Sequence, residues 1–139
     1  MSSLINFEYT STPSSADIDY LTHEINKETP QFGKAHPFAF FKRDDKNQII
    51  AGCNGSVIFG SIYTDQLWVH PDHRSRGLGQ QLMKAVHDYG RESGCAIATV
   101  ATMNFQGAKA FYEKLGYISD FERHGYSQHS SCIFLKRNL

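Results

Sequence analysis

The sequence predicts an α/β or α+β domain, a mixed sheet covered by helices, and three observations predict it. Short apolar segments bounded by turn residues recur along the chain and read as strands. Two windows after position 77 carry apolar residues at helical spacing. The second half runs in the order β-α-β-α-β, which places helices against a sheet. At 139 residues, 40% apolar and 20% charged, the chain is one domain over residues 1–139, long enough to bury its own core.

Taken in order, Ile5, Phe7 and Tyr9 alternate with polar residues as a half-buried first strand does. Ser14 and Ser15 are candidate N-caps for a helix carrying Ile18, Leu21 and Ile25 to about Lys27. Residues 28 to 37, with two prolines and a glycine, predict a loop or a broken short helix. Strands follow over Phe38–Lys42, Ile49–Phe59 and Ile62–Val69. Gly52, Gly55 and Gly60 in the second of these permit a bulge or a close backbone approach. Leu78, Leu82, Val86 and Tyr89 form the stripe of a helix from about Gly79 to Tyr89. Residues 95–101, CAIATVA, are continuously apolar, as in a central strand covered on both faces. A shorter helix places Ala108, Phe111, Tyr112 and Leu115 on one face, with Gly116 as its left-handed cap. Strands near Tyr117–Arg123 and Ser131–Lys136 complete the sheet.

Fourteen basic and fourteen acidic side chains cancel, so the chain lacks the positive field that nucleic-acid binding draws on. An anionic ligand must be held by local groups. Three separated cysteines, Cys53, Cys95 and Cys132, argue for a reducing compartment, with the cytoplasm as the expected location. The N-terminal residues lack the pattern of a signal peptide, and no apolar run of about 20 residues predicts a membrane span. The pairs His70/His73 and His124/His129 each offer two metal ligands where zinc needs three or four, so no metal is expected.

The chemistry is read from the turn HRSRGLGQQ. It joins an apolar strand end, Leu67-Trp68-Val69, to an amphipathic helix. A helix N-terminus has unpaired N–H groups and a partial positive charge, which together attract anions. Gly77 and Gly79 clear side chains from those N–H groups, and Arg74 and Arg76 add charged donors. The bland alternative is a tight strand–helix connection. A P-loop would need Lys then Ser or Thr where Gln80 and Gln81 stand, and GxGxxG fails at Leu82.

A second motif, FYEKLGY over residues 111–117, decides between these. With it the chain resembles the GNAT family of acetyl-coenzyme A-dependent N-acetyltransferases, well over residues 62–117 and in outline elsewhere. The resemblance implies a mixed, mostly antiparallel sheet of about six to seven strands flanked by about four helices, splayed between its fourth and fifth strands. The coenzyme then lies in the opening. By the same resemblance it is held by Leu67, Trp68, Val69, Arg74, Ser75, Arg76, Gly77, Leu78, Gly79 and Gln80, with Phe111 and Tyr112. The pattern departs at Phe105, where many members have asparagine, and Asn104 one residue earlier is the off-register candidate for that contact. His73 belongs at the edge of the coenzyme loop, whereas Lys84, Lys109 and Lys114 read as solvated helix positions.

Amide formation from a thioester needs a deprotonated amine, a donor for the developing oxyanion and a proton or hydrogen bond for the leaving thiolate. The resemblance places Tyr112 as the acid. A phenol of pKa ~10 protonating a thiolate of ~8.5 runs uphill by about 2 kcal/mol. A backbone N–H around Leu67 to Val69 would meet the oxyanion. For the base, Asp65 and Tyr63 share a strand face with Leu67 and Val69 by period-two counting. Glu24 and Glu28, near the family's acceptor wall, are alternatives, as is direct capture of free amine.

The expected activity is therefore acetyl transfer from acetyl-coenzyme A to a primary amine by direct attack in a ternary complex. A non-catalytic module that senses coenzyme A thioesters is the competing expectation. Glu24, Phe32 and His36, with Glu28 and Gln31, are expected to shape the acceptor pocket, for a small-molecule or peptide amine. The carboxylates favour a cationic acceptor. Homodimers are frequent in the family, and a homodimer is an expected assembly.

Overall fold

The computed structural model describes residues 6–139. Six strands form one sheet: β1 (His36–Arg43), β2 (Ile49–Ile58), β3 (Ser61–Val69), β4 (Ile97–Met103), β5 (Ile118–His124) and β6 (Ser131–Asn138). Their spatial order is β1-β2-β3-β4-β6-β5, antiparallel throughout except between β3 and β4. Three α-helices accompany them: α1 (Ser15–Glu28), α2 (Leu78–Glu92) and α3 (Lys109–Lys114). The Ser14 hydroxyl caps α1 by accepting from the Asp17 N–H.

The strand expected at the N-terminus is not formed by the described residues. Ile5 lies outside them, and Phe7 and Tyr9 sit in irregular backbone with exposed side chains. Alternation marks an amphipathic segment but supplies no partner, and β1 forms the sheet edge without one on that side.

The helices α2 and α3 pack on one face. Leu82, Met83 and Val86 of α2 and Tyr112 of α3 join Ile62, Ala98, Val100, Ile133 and Leu135 in one buried cluster. Gly90 lets α2 approach closely, since a Cβ there would stand 2.8 Å from Ile62 Cγ2 and 2.9 Å from Leu139 Cδ1. The opposite face is barer than the continuous apolar run predicts. Along β4, Ala98, Val100 and Thr102 are buried while Ile97, Thr99, Ala101 and Met103 are only partly covered. On that side α1 contributes no buried residue, and it borders a hollow at the β1–β2 end near Pro37, Ser56 and Ile58.

Two irregularities in β3 shape the site. Between β2 and β3 the register jumps from Asn54↔Gln66 to Gly55↔Thr64, leaving Asp65 as an extra residue in a bulge. Between β3 and β4, pairing runs from Ser61↔Ile97 to Thr64↔Val100 and then stops. Beyond that point β3 stays with β2 and β4 with β6, so the sheet opens into a V. The bulge bends β3 where the parting begins.

Candidate active site

The V and the first turn of α2 border one cavity of about 680 Å³. Leu67, Trp68 and Val69 form its strand side, and His73, Arg74, Ser75, Gly77, Leu78, Gly79 and Gln80 its loop side; Gln106, Phe111 and Lys114 close it.

Local chemistry explains the loop. Gly77 is the N-cap of α2 with φ +81°, a conformation that glycine adopts without strain. Ser75 also has positive φ, +63°. The first helical bond runs from the Gln81 N–H to the Gly77 carbonyl, so Leu78, Gly79 and Gln80 have no helical acceptor for theirs. A Cβ on Gly77 would meet nothing within 4 Å, so the space before this turn is open. Gly79 packs against Phe111, whose Cζ would lie 3.3 Å from an added Cβ. The Arg74 Nε donates to the Val69 carbonyl at 2.8 Å, which ties the guanidinium to the strand end. This set fits a diphosphate at the helix terminus and an extended arm along the strand.

Tyr112 adjoins this cavity through Phe111, whose ring meets it edge to face at 5.2 Å. It is 6% exposed, and burial, then Cys53 and Tyr63, push its hydroxyl up to about 12. Behind it Tyr117 stacks edge to face at 5.5 Å. The His87 Nε2–H donates to the Tyr117 oxygen at 2.8 Å, and Arg137 donates to His87 Nδ1 at 3.0 Å. Arginine can only donate, so Nδ1 is unprotonated and this tautomer follows. Burial, then Arg137 and Arg91, lower His87 to about 4.

Comparison with known proteins decides the identity of this arrangement. The model of the acetyltransferase (GNAT) family matches residues 2–117. The chain belongs to the GNAT acetyltransferase family. Blasticidin-S acetyltransferase from Streptomyces morookaense is 32% identical over 81 residues, 58% of this chain and 59% of that protein, so the match spans little more than half of the relative's length. The crystal structure of an acetyltransferase from Bacillus cereus superposes with a TM-score of 0.72 at 20% identity, covering 95% of this chain and 98% of that one. A structure from Bacillus anthracis assigned as a streptothricin acetyltransferase, in complex with acetyl coenzyme A, gives 0.68 at 19% identity over 79% and 67%. At such identities the structural likeness shows the fold. The GNAT family's acetyl donor is acetyl-coenzyme A, the same molecule that the Bacillus anthracis structure holds.

Within this GNAT domain the remaining residues divide. Arg76 is exposed on the loop and is not among the cavity's walls. Asn104 is turned away: its Oδ1 accepts from the Ser131 N–H, and it borders a separate groove with Phe105 and Ser127–Ser130. The off-register position sends it to the β6 entry. Gln106 and Lys114 line the cavity although neither was singled out for it. Lys114 follows Phe111 by three residues, so helical spacing was the available signal.

The face assignment of Tyr63 and Asp65 is corrected by the bulge. The extra residue resets the alternation, so Leu67 and Val69 face the helices with Ile62 and Thr64. Tyr63 lies on the open face, and its hydroxyl donates to Asp65 Oδ1 at 3.4 Å. Burial and then Asp65 raise the Tyr63 phenol. The His36 Nε2 meets the Tyr89 hydroxyl at 2.8 Å, and the residue borders a hollow with Ile18 and Ile25 of α1. Glu24 pairs with Lys27 at 2.7 Å, and Glu28 is exposed at the end of α1. Phe32 is 66% exposed and borders a small hollow with Thr29 and Phe59. Sequence reading did not find Asn26, whose side chain accepts from the Ala35 N–H and donates to the Ala35 carbonyl, pinning the loop before β1.

Proposed function

We propose that the chain transfers the acetyl group of acetyl-coenzyme A to the primary amine of a small molecule, with both substrates bound together. The observation that carries this reading is the continuity of one cavity from the free N–H groups of α2 to the unzipped edge of β3. Leu78, Gly79 and Gln80 N–H groups and the Arg74 guanidinium hold the diphosphate, Lys114 adds positive charge at the rim, and Leu67–Val69 align the arm. Bound there, acetyl-coenzyme A supplies an acetyl group activated as a thioester.

Tyr112 serves as a hydrogen-bond donor to the leaving sulfur. With its hydroxyl pushed up to about 12, complete proton transfer to a thiolate of ~8.5 runs uphill by about 5 kcal/mol, so donation without full transfer is favoured. Asp65, held by Tyr63 at the bulge, accepts the proton of the amine directly or through water. Glu28, on a helix with no buried residue, is the less well-placed base. No cysteine is suited to carry the acetyl group: all three are free and buried, and burial raises Cys53 to about 11.

The acceptor class follows the relatives named for blasticidin S and streptothricin. A second copy is expected on the exposed apolar row Ile18, Leu21 and Ile25. The test is release of free thiol from acetyl-coenzyme A with a panel of amines, in the wild type and Tyr112→Phe. Amine-dependent release that the variant slows supports the proposal. Coenzyme binding without release for any amine supports a sensor.

A further inference from the structure

The open face of the sheet holds another cavity, of about 250 Å³. Register places Phe41 of β1 and Trp68 of β3 on either side of Gly52. The two rings are 55% and 46% exposed. Each is braced: the Arg43 guanidinium lies 5.7 Å from the Phe41 ring centre, and the His70 ring meets Trp68 edge to face at 5.7 Å. Gly52 lies at the floor with the Phe41 ring leaning over it. A Cβ there would stand 2.7 Å from Phe41 Cδ1, so a larger residue displaces that ring.

One end of the slot is polar. Asn54 and Gln66 face each other there, and Asn54 Oδ1 is buried with no hydrogen-bond partner among the described residues. A buried acceptor left unpaired costs about 1–3 kcal/mol, so turning the Asn54 amide toward a ligand N–H in the slot forms a bond that the free protein lacks. Two further facts tie the slot to the reaction. Trp68 lines both this cavity and the coenzyme cavity. Asp65 lies three residues back along β3, about 10 Å at ~3.3 Å per residue.

Resting on the acetyl-transfer reading, we propose that the slot binds a flat nitrogen heterocycle of the acceptor. The ring stacks against Phe41 and Trp68, donates an N–H to Asn54, and carries its primary amine on a short tether toward Asp65. The volume supports a single ring, being below the ~300–1,000 Å³ of pockets for drug-sized ligands. The aromatic faces also attract a cationic ring.

Trp68 is the single tryptophan of the chain, so its fluorescence reports the slot directly. With coenzyme A saturating, the protein is titrated with an aminoethyl-imidazole, an aminomethyl-pyrimidine and 1,4-diaminobutane. A saturable change in emission is expected with at least one ring amine and none with the diamine. Phe41→Leu is expected to weaken the ring amine roughly tenfold, within the ~1–3 kcal/mol of a base–aromatic stack, with coenzyme A affinity unchanged. Gly52→Ala, which displaces the Phe41 ring, acts in the same direction. No saturable response, an equal response to the diamine, or equal weakening of both amine types overturns the proposal. So does a Phe41→Leu effect on self-association in place of ring-amine affinity, which assigns the slot to contact between copies. Coenzyme A binding and thiol release in the same samples test the acetyl-transfer reading separately.

Discussion

Gly55 lies so close under Tyr63 that an added Cβ would overlap the Tyr63 carbonyl oxygen. This contact accompanies the β3 bulge, which puts Leu67 and Val69 on the helix-covered face, opposite to Tyr63. Gly55→Ala must shift backbone rather than a flexible side-chain end. The expected cost is about 1–3 kcal/mol, read by calorimetry as a melting temperature lower by several degrees. Activity is expected to fall further than the loss of folded protein explains.

Gly77 and the anion site make a second prediction. Gly77→Val puts a branched side chain into the open space before α2 and forces it to φ +81°. Coenzyme A affinity should fall at least a hundredfold by calorimetric titration. Stability should fall by about 1–3 kcal/mol from backbone strain, so the fold persists with a lower melting temperature. Unchanged affinity counts against the loop.

For Tyr112, replacement by Phe removes the hydroxyl and keeps the packing against Phe111 and Tyr117. The turnover number is expected to drop by roughly a hundredfold, with the coenzyme Kd unchanged. Because the hydroxyl is pushed up to about 12, it remains a donor at all lower pH. The rate profile should therefore show no falling limb from this group between pH 7 and 10.

His87 sets a pH dependence of stability. Its folded pKa, about 4, lies below its ordinary 6.5. The unfolded chain therefore binds the extra proton first as pH falls. Stability is fully present above about 6.5 and declines between 6.5 and 4, by up to about 3 kcal/mol. Urea midpoints at pH 7 and pH 4.5 measure it, and His87→Gln should flatten the difference between them.

What could be read from the sequence was local. The glycine and arginine pattern of residues 74–79 and the FYEKLGY segment announce the helix terminus and α3, because capping and helical periodicity act within a few residues. The V between β3 and β4 came with the family resemblance. The face of Asp65 did not, since counting by twos fails across a bulge, even though Gly55 had marked a close approach. The contacts of His36 and Asn104 were not legible, because their partners, Tyr89 and Ser131, lie 53 and 27 residues away in the chain. The Phe41–Gly52–Trp68 slot depends on the register of three strands, which composition does not encode.

The most direct measurement is the amide spectrum of the ¹⁵N-labelled protein during titration with coenzyme A. The N–H resonances of Leu78, Gly79 and Gln80 are expected to move most, together with those of Leu67 to Val69, and 1,4-diaminobutane alone is expected to leave them in place. Unmoved α2 resonances at saturating coenzyme A, or shifts confined to another part of the sheet, would contradict this.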